Sequence, residues 1–270
     1  MNVVFITGCA NGIGRHLATT FYQRGDAVIV TDIDEAGLHA LTATWDTERI
    51  LVARMDVRDQ SSWQRIIDQA LNRWGRIDIG LNVAGVLRTG YVTDFDLDDI
   101  DIVFDINVKG VLLGSRLLIA QMIRQGSGHL INIASLAGLS PVVGMSLYSA
   151  SKFAVRAFTL AAAGELRHQG VRVSVICPDL VDTNMLTQQI DRPEAALSFS
   201  GSRTLTVDDV TRVVLHDALK LNRVEVMIPA SRGWLGKIGN LFPSLTFRIT
   251  DSLIKKGRQK QRWYTGRIKP

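Results

Sequence analysis

The chain has 270 residues, 46% of them hydrophobic and 21% charged, which suits one large α/β domain with a full apolar core. No apolar run reaches the roughly 18 residues of a membrane-spanning helix, and the N-terminus carries no basic, cleavable leader, so a cytoplasmic protein is expected. The net charge of +5 gathers at the C-terminal end, where Lys255, Lys256, Arg258, Lys260, Arg262, Arg267 and Lys269 meet no acidic residue; the rest of the chain shows no basic face, which argues against a nucleic-acid partner.

In chain order, short β-branched runs predict strands at 3–7, 27–31, 50–55, 77–82, 129–134, 172–177 and 225–228. Helical patterns lie between them at 12–24, 35–45, 61–74, 100–125, 147–168 and 207–221. The strand runs are continuously apolar rather than alternating, so both faces are buried and helices cover both sides of a mostly parallel sheet. This is a doubly wound α/β architecture, whose right-handed crossovers bring the strand C-termini to one edge and open a ligand crevice there. Irregular stretches at 88–99, 136–146 and 180–206 each follow a strand and so lie beside that crevice; the last is long enough to act as a lid. Residues 1–230 form one domain with the site, and 231–270 form a C-terminal extension. Cys9 and Cys177 lie far apart beside apolar runs and read as buried free thiols of a reducing compartment; no His/Cys clustering suggests a metal.

The first strand ends in Thr7-Gly8-Cys9-Ala10-Asn11-Gly12-Ile13-Gly14 and passes at once into a helix. Glycines there allow a tight turn and close backbone approach to a pyrophosphate, and the helix N-terminus offers unpaired N–H groups. The second strand ends at Asp32, placed to accept hydrogen bonds from a ribose and to repel a 2′-phosphate. No Lys or Arg stands inside the glycine loop or directly after Asp32, although Arg15 lies one step into the helix, so NAD(H) is favoured over NADP(H). At Tyr148-Ser149-Ala150-Ser151-Lys152 a tyrosine and a lysine share one helical face. An ammonium beside a phenol lowers the phenol's pKa from its ordinary value near 10 and makes it a usable base.

These motifs, in this order over residues 3–228, resemble the short-chain dehydrogenase/reductase family in its compact form. The cofactor loop matches at Thr7-Gly8-x-x-x-Gly12-Ile13-Gly14, and Asp56-Val57 matches the pair that contacts adenine. Asn82-Val83-Ala84-Gly85 is similar to the family's Asn-Asn-Ala-Gly, with Val83 replacing the second Asn. Asn107, Ser135, Tyr148 and Lys152 align with the catalytic tetrad. Pro178-Asp179-Leu180-Val181-Asp182-Thr183 is similar to the segment beside the nicotinamide, with Asp179 where the family has Gly; a left-handed backbone there would cost an aspartate.

The resemblance implies a Rossmann fold and a set of roles. Tyr148 would exchange the substrate's hydroxyl proton, and Lys152 would tune the tyrosine and bind the nicotinamide ribose. Ser135 would hydrogen-bond the substrate oxygen, and Asn107 would hold a relay water. Gly8, Asn11, Gly12, Ile13, Gly14, Asp32, Asp56, Val57, Asn82, Ala84 and Gly85 would bind the cofactor along with Tyr148, Lys152, Pro178, Val181 and Thr183. The activity implied is hydride transfer between NAD(H) and a secondary alcohol or ketone. Two other readings compete. One is an NADP(H)-using carbonyl or 3-oxoacyl reductase, against whose carrier-bound form a basic patch confined to the tail argues; the other is a cofactor-binding regulatory protein without turnover, against which the intact Asn-Ser-Tyr-Lys set argues.

Leu139, Val142, Val143 and Met145 in one loop, with Leu180, Met185, Leu186 and Ile190 in another, suggest an apolar pocket for a lipid-, steroid-, retinoid-like or aromatic alcohol. Val108, Val111, Leu112, Leu117 and Leu118 carry more apolar surface than one sheet face needs, and the resemblance implies a homodimer or homotetramer through these long helices. Beyond residue 230, Leu241, Phe242, Leu245, Ile249 and Leu253 fall on one side of a helical wheel, opposite Arg248, Asp251, Lys255 and Arg258. This segment reads either as a peripheral membrane contact or as a helix packed on the site's rim, with a solvated basic tail.

Overall fold

Every side chain of β1 (Val3–Thr7) is buried, and β2 (Ala27–Asp32) is buried up to its terminal carboxylate, as continuously apolar runs require. The computed structural model describes residues 1–268. With β3 (Ile50–Arg54), β4 (Ile79–Asn82), β5 (Gly128–Ile133), β6 (Val171–Pro178) and β7 (Glu225–Ile228), these strands make one seven-stranded sheet in the order β3-β2-β1-β4-β5-β6-β7, parallel throughout. The order reverses between β1 and β4, so the loops leaving those two strands diverge and a crevice opens at their C-terminal ends.

Helices cover both faces. On one side α1 (Gly12–Gln23), α2 (Glu35–Thr42) and α8 (Val207–Val213) bury Leu17, Phe21, Leu38 and Val210. On the other, α3 (Gln60–Trp74), α5 (Gly110–Arg124) and α6 (Ser146–Leu166) bury Trp63, Leu118, Met122 and Leu166, and Trp63 stacks on Phe5 of the sheet at 5.3 Å. Asp59 caps α3 by accepting from the Ser61 and Ser62 amides, and Gly75 ends it in the left-handed conformation at φ +73°.

Three predicted helices differ in form. The helix expected over 35–45 stops at Thr42, and Trp45 stacks instead on Tyr22 at 4.3 Å. The one expected over 100–125 is α4 (Asp98–Phe104) and α5 joined through a π turn at Asp105–Lys109. The one expected over 207–221 continues from α8 as a π segment, Val214–Lys220. A single extra residue in a turn leaves the apolar spacing on either side intact, so periodicity alone does not reveal it.

The loop at 180–206 is partly ordered by the short helix α7 (Asn184–Thr187) and a 3₁₀ segment at Pro193–Ser200. After β7 the extension folds as α9 (Ala230–Leu241) and α10 (Pro243–Ile268), which meet at a corner at Phe242 with Pro243 opening the second helix. The basic segment is therefore helical, not an irregular tail. Lys269 and the side chain of Arg267 lie outside the described residues. Among the described residues no helix is long and apolar enough to cross a membrane.

Candidate active site

The turn after β1 depends on its glycines. Gly8 and Gly12 hold φ +74° and +54°, and a Cβ on Gly14 would lie 2.0 Å from the Gly8 carbonyl oxygen, so α1 starts pressed against the turn. Neither an N-cap side chain nor an acidic residue occupies the first turn of α1, which leaves its amides for an anion. Thr7 Oγ1 accepts from the Val83 and Ala84 amides at 3.0 Å each and ties the loop after β4 to β1.

Asp32 ends β2 half-buried. Its Oδ2 accepts from the Ala10 amide at 2.9 Å and its Oδ1 from the Asp34 amide at 3.0 Å, so the carboxylate is fixed at the rim of the glycine turn. Asp56 and Val57 follow β3 nearby. The Asp56 carboxylate is engaged by Arg58, with Nη2 donating at 2.6 Å, and this guanidinium holds its pKa below the usual carboxylate range. Arg58 borders the same cavity as Asp32 and is a cation that the sequence reading overlooked, although it stands only two residues beyond Asp56.

At the other end, Ser135 follows β5 and its Oγ accepts from the Ala137 amide and donates to the Pro178 carbonyl at 3.3 Å. Tyr148 and Lys152 stand one turn apart near the start of α6, both buried. Lys152 Nζ donates to the Ile133 carbonyl at 3.1 Å and lies 5.6 Å from the centre of the Tyr148 ring. Burial pushes the Tyr148 phenol up to about 12, only partly opposed by a hydrogen bond with Ser135. At that separation desolvation outweighs the favourable effect of the lysine on the phenolate. Burial likewise pushes the Lys152 ammonium down to about 8.

Asn107 sits in the π turn, fully buried behind Lys152. Its Oδ1 accepts from the Val86 amide at 2.7 Å, and its Nδ2 donates to the Val86 carbonyl and to Ser151 Oγ. Asn82 points away from the cavity and pairs with Asn132 across β4 and β5 at 2.8 Å, whereas Ala84 and Gly85 border the cavity. Asp179 needs no left-handed backbone: Asn222 is the only non-glycine residue with positive φ among the described residues. Its buried carboxylate accepts from Arg232 Nε of α9 at 2.9 Å, and Arg232 Nη2 also donates to Ser200 Oγ. Thr183 packs near Gly12, and Asn184 Nδ2 donates to Asn11 Oδ1 at 3.3 Å, so the loop after β6 meets the glycine turn.

All of this surrounds one cavity of about 980 Å³ that runs from Gly8 and Asp32, past Pro178, Val181 and Thr183, to Ser135, Tyr148 and Lys152. Leu139, Val142, Val143, Met145, Leu180, Met185 and Leu186 line it as expected, while Ile190 packs behind them. The far wall is the extension itself, as the rim-packing alternative expected: Leu235 and Ile238 of α9 and Phe242, Leu245 and Ile249 beyond it border the same space. The second half of α10 pins the loop: Gln261 Nε2 donates to the Gln189 and Arg192 carbonyls, Tyr264 pairs with Thr204 at 2.6 Å, and Gly257 lies against the Ala196 carbonyl.

The sequence profile of the short chain dehydrogenase family matches residues 2–194. An uncharacterized oxidoreductase of Staphylococcus aureus is 30% identical over 224 residues, 83% of this chain and 94% of its own. The 2-(R)-hydroxypropyl-CoM dehydrogenase of Xanthobacter autotrophicus is 33% identical over 198 residues, 71% of this chain and 79% of its own. Among solved structures, a short chain dehydrogenase/reductase from Burkholderia phymatum in complex with NAD superposes with a TM-score of 0.81 at 26% identity, covering 91% of this chain and 95% of that one. The closed form of a serine dehydrogenase complexed with NADP+ gives a TM-score of 0.76 at 28% identity over 83% of this chain and 93% of its own.

Proposed function

Because the chain belongs to the short-chain dehydrogenase/reductase family and is an oxidoreductase of that type, we propose that it moves a hydride between NAD(H) and a secondary alcohol or ketone with an apolar body. The observation that carries this reading is the convergence of Ser135, Tyr148 and Lys152 on the apolar end of a cavity whose other end is the glycine turn and Asp32. A bound nicotinamide dinucleotide would supply or accept the hydride. The turn at Gly8–Gly14 would hold its pyrophosphate, Asp32 a ribose, Asp56 and Val57 the adenine, and Ala84, Gly85, Pro178, Val181 and Thr183 the remainder.

In oxidation, Tyr148 takes the hydroxyl proton as the carbon gives up its hydride; in reduction it returns that proton to the new alkoxide. Ser135 donates to the substrate oxygen where negative charge develops. Lys152 stabilises the phenolate and passes the proton onward. Asn107, with its amide committed to Val86 and Ser151, shapes the Gly85–Val86 turn beside Lys152, and a relay water would lie along its backbone. Tyr148→Phe keeps the ring and removes the proton, so NADH binding should persist while turnover falls by roughly 10²–10⁴-fold. Retention of more than half the wild-type turnover, measured where chemistry limits the rate, would assign the proton transfer to another group.

Preference for NAD(H) is supported by the fixed carboxylate of Asp32, which would repel a 2′-phosphate, and by the neutralisation of Arg58 by Asp56. Wild-type kcat/KM should favour NAD(H), and Asp32→Ala should narrow the ratio. Equal or better wild-type efficiency with NADPH would overturn this choice, leaving Arg58 as the natural partner of the extra phosphate. We also place the protein in the reducing cytoplasm, a setting that suits the free, buried thiols of Cys9 and Cys177.

A further inference from the structure

The last two helices leave several large apolar side chains in water. Trp234, Leu235 and Leu241 of α9 are 58%, 65% and 72% exposed, and across the corner Phe242, Leu245 and Phe247 are 60%, 61% and 64% exposed. Singly exposed apolar residues are ordinary; six within 14 residues, with Leu235, Phe242, Leu245 and Phe247 bordering one cavity, mark a binding surface. α10 does not use these residues to pack. It buries Gly257 and Gln261 against the loop after β6 and leaves Leu245, Phe247 and Ile249 exposed at the mouth of the cavity.

Charge identifies the occupant. From Pro229 onward the sequence has a single acidic residue, Asp251. Arg232 and Lys237 are taken up by Asp179 and Glu225, but Arg248, Lys255, Lys256, Arg258 and Arg262 are exposed and form no ion pair among the described residues. A second copy of this chain docked face to face would bring these like charges together with no acidic surface of the extension to meet them. An anionic lipid surface satisfies both features, because it accepts apolar and aromatic side chains below its headgroups and attracts the unpaired cations on the other flank of the same amphipathic segment. The face is also continuous with the cavity that holds Tyr148, since Leu235, Phe242 and Leu245 border it.

We propose that α9 and the first half of α10 seat the protein on an anionic bilayer, with the substrate cavity opening at the contact. A hydrophobic alcohol or ketone would then enter from the lipid side; this routing rests on the oxidoreductase reading of the cavity, whereas membrane seating does not.

Sedimentation with vesicles, read without turnover, keeps the two separate. The full chain should bind vesicles of equal phosphatidylglycerol and phosphatidylcholine at low salt, bind phosphatidylcholine vesicles weakly, and release as salt rises and screens the charges. Trp234→Glu with Leu241→Glu should abolish binding; Lys255→Gln with Lys256→Gln and Arg258→Gln should weaken it at least tenfold. None of these five side chains lines the cavity, so both variants should keep the wild-type melting temperature and NADH affinity. Failure of the full chain to sediment with the anionic vesicles at low salt, equal binding to both vesicle types, or undiminished binding by the charge variant would overturn the proposal. A fall in mass by light scattering in the Trp234→Glu, Leu241→Glu variant, with no vesicle binding by the wild type, would instead assign this face to a second copy. Binding of an acidic carrier protein without vesicle binding would equally overturn it.

Discussion

Lys152 is a buried ammonium that, among the described residues, has no carboxylate beside it and is held by the Ile133 carbonyl and the nearby Tyr148 ring. Burial lowers it to about 8. Below about pH 8 folded and unfolded chains both carry the proton, and the folded state bears the full cost of a desolvated charge; between about 8 and 10.5 only the unfolded chain keeps it, so stability rises with pH there. Lys152→Met should therefore raise the melting temperature at pH 7 by roughly 2–6 °C, flatten that alkaline rise, and reduce turnover by about 10²-fold or more. An unchanged or lower melting temperature in a scanning calorimeter would show that the ammonium is better solvated than its burial implies. The serine, tyrosine and lysine were legible because each lies at a strand end or on one helical face, where local spacing decides placement. Asn82 and Arg58 were not, since what each contacts depends on how β4 meets β5 and on which loops enclose the cavity.

At the scale of elements, the Asp179–Arg232 pair joins three pieces: the end of β6, α9, and Ser200 in the 3₁₀ segment over the cavity. Burial raises the Asp179 pKa, with Arg232 opposing it, so the arginine keeps a reluctant carboxylate ionised. Arg232→Ala should destabilise the protein by about 2 kcal/mol, less than a fully buried pair because the guanidinium is partly solvated, and should raise KM for substrate as α9 loosens. Adding Asp179→Gly should recover most of that loss, because no unpaired charge remains; full additivity of the two losses in chemical denaturation would show that the residues act independently. The seven strands were readable to within two residues at each end because continuous apolar runs have few alternatives in a parallel sheet. The two π segments and the corner at Phe242 escaped notice, since they alter helical phase or direction without altering which residue types appear.

At the scale of the whole molecule, the sheet and its crevice follow from the alternation of strands and helices, but the cavity's far wall does not. That wall comes from residues beyond β7, for whose apolar stripe the sequence left open membrane contact or packing on the site's rim; Phe242, Leu245 and Ile249 of the stripe do border the cavity, while the buried positions are Thr250, Gly257 and Gln261. Small and polar residues pack there because backbone comes close: a Cβ on Gly257 would fall 1.8 Å from the Ala196 carbonyl oxygen. Assembly is a separate matter. Val111, Leu117 and Leu118 pack into the core, whereas Val108 and Leu112 are only half-buried and Ile100 and Ile123 are exposed; we propose that this remaining apolar surface pairs the long helices across a two-fold axis. Light scattering at micromolar concentration should give two or four times the 29.8 kDa chain mass, and a monomer would reject this arrangement.

The π turn at Asp105–Lys109 makes chain length itself a constraint. One extra residue per turn rotates everything downstream by about 100° relative to an uninterrupted helix. With that offset Asn107 faces Val86 while Leu118 and Met122 face the sheet; without it one set or the other must turn away. Over 98–124 the number of residues is therefore as binding as their identity, since the deletion that would mend the helix would also uncouple it from Lys152 or from the core.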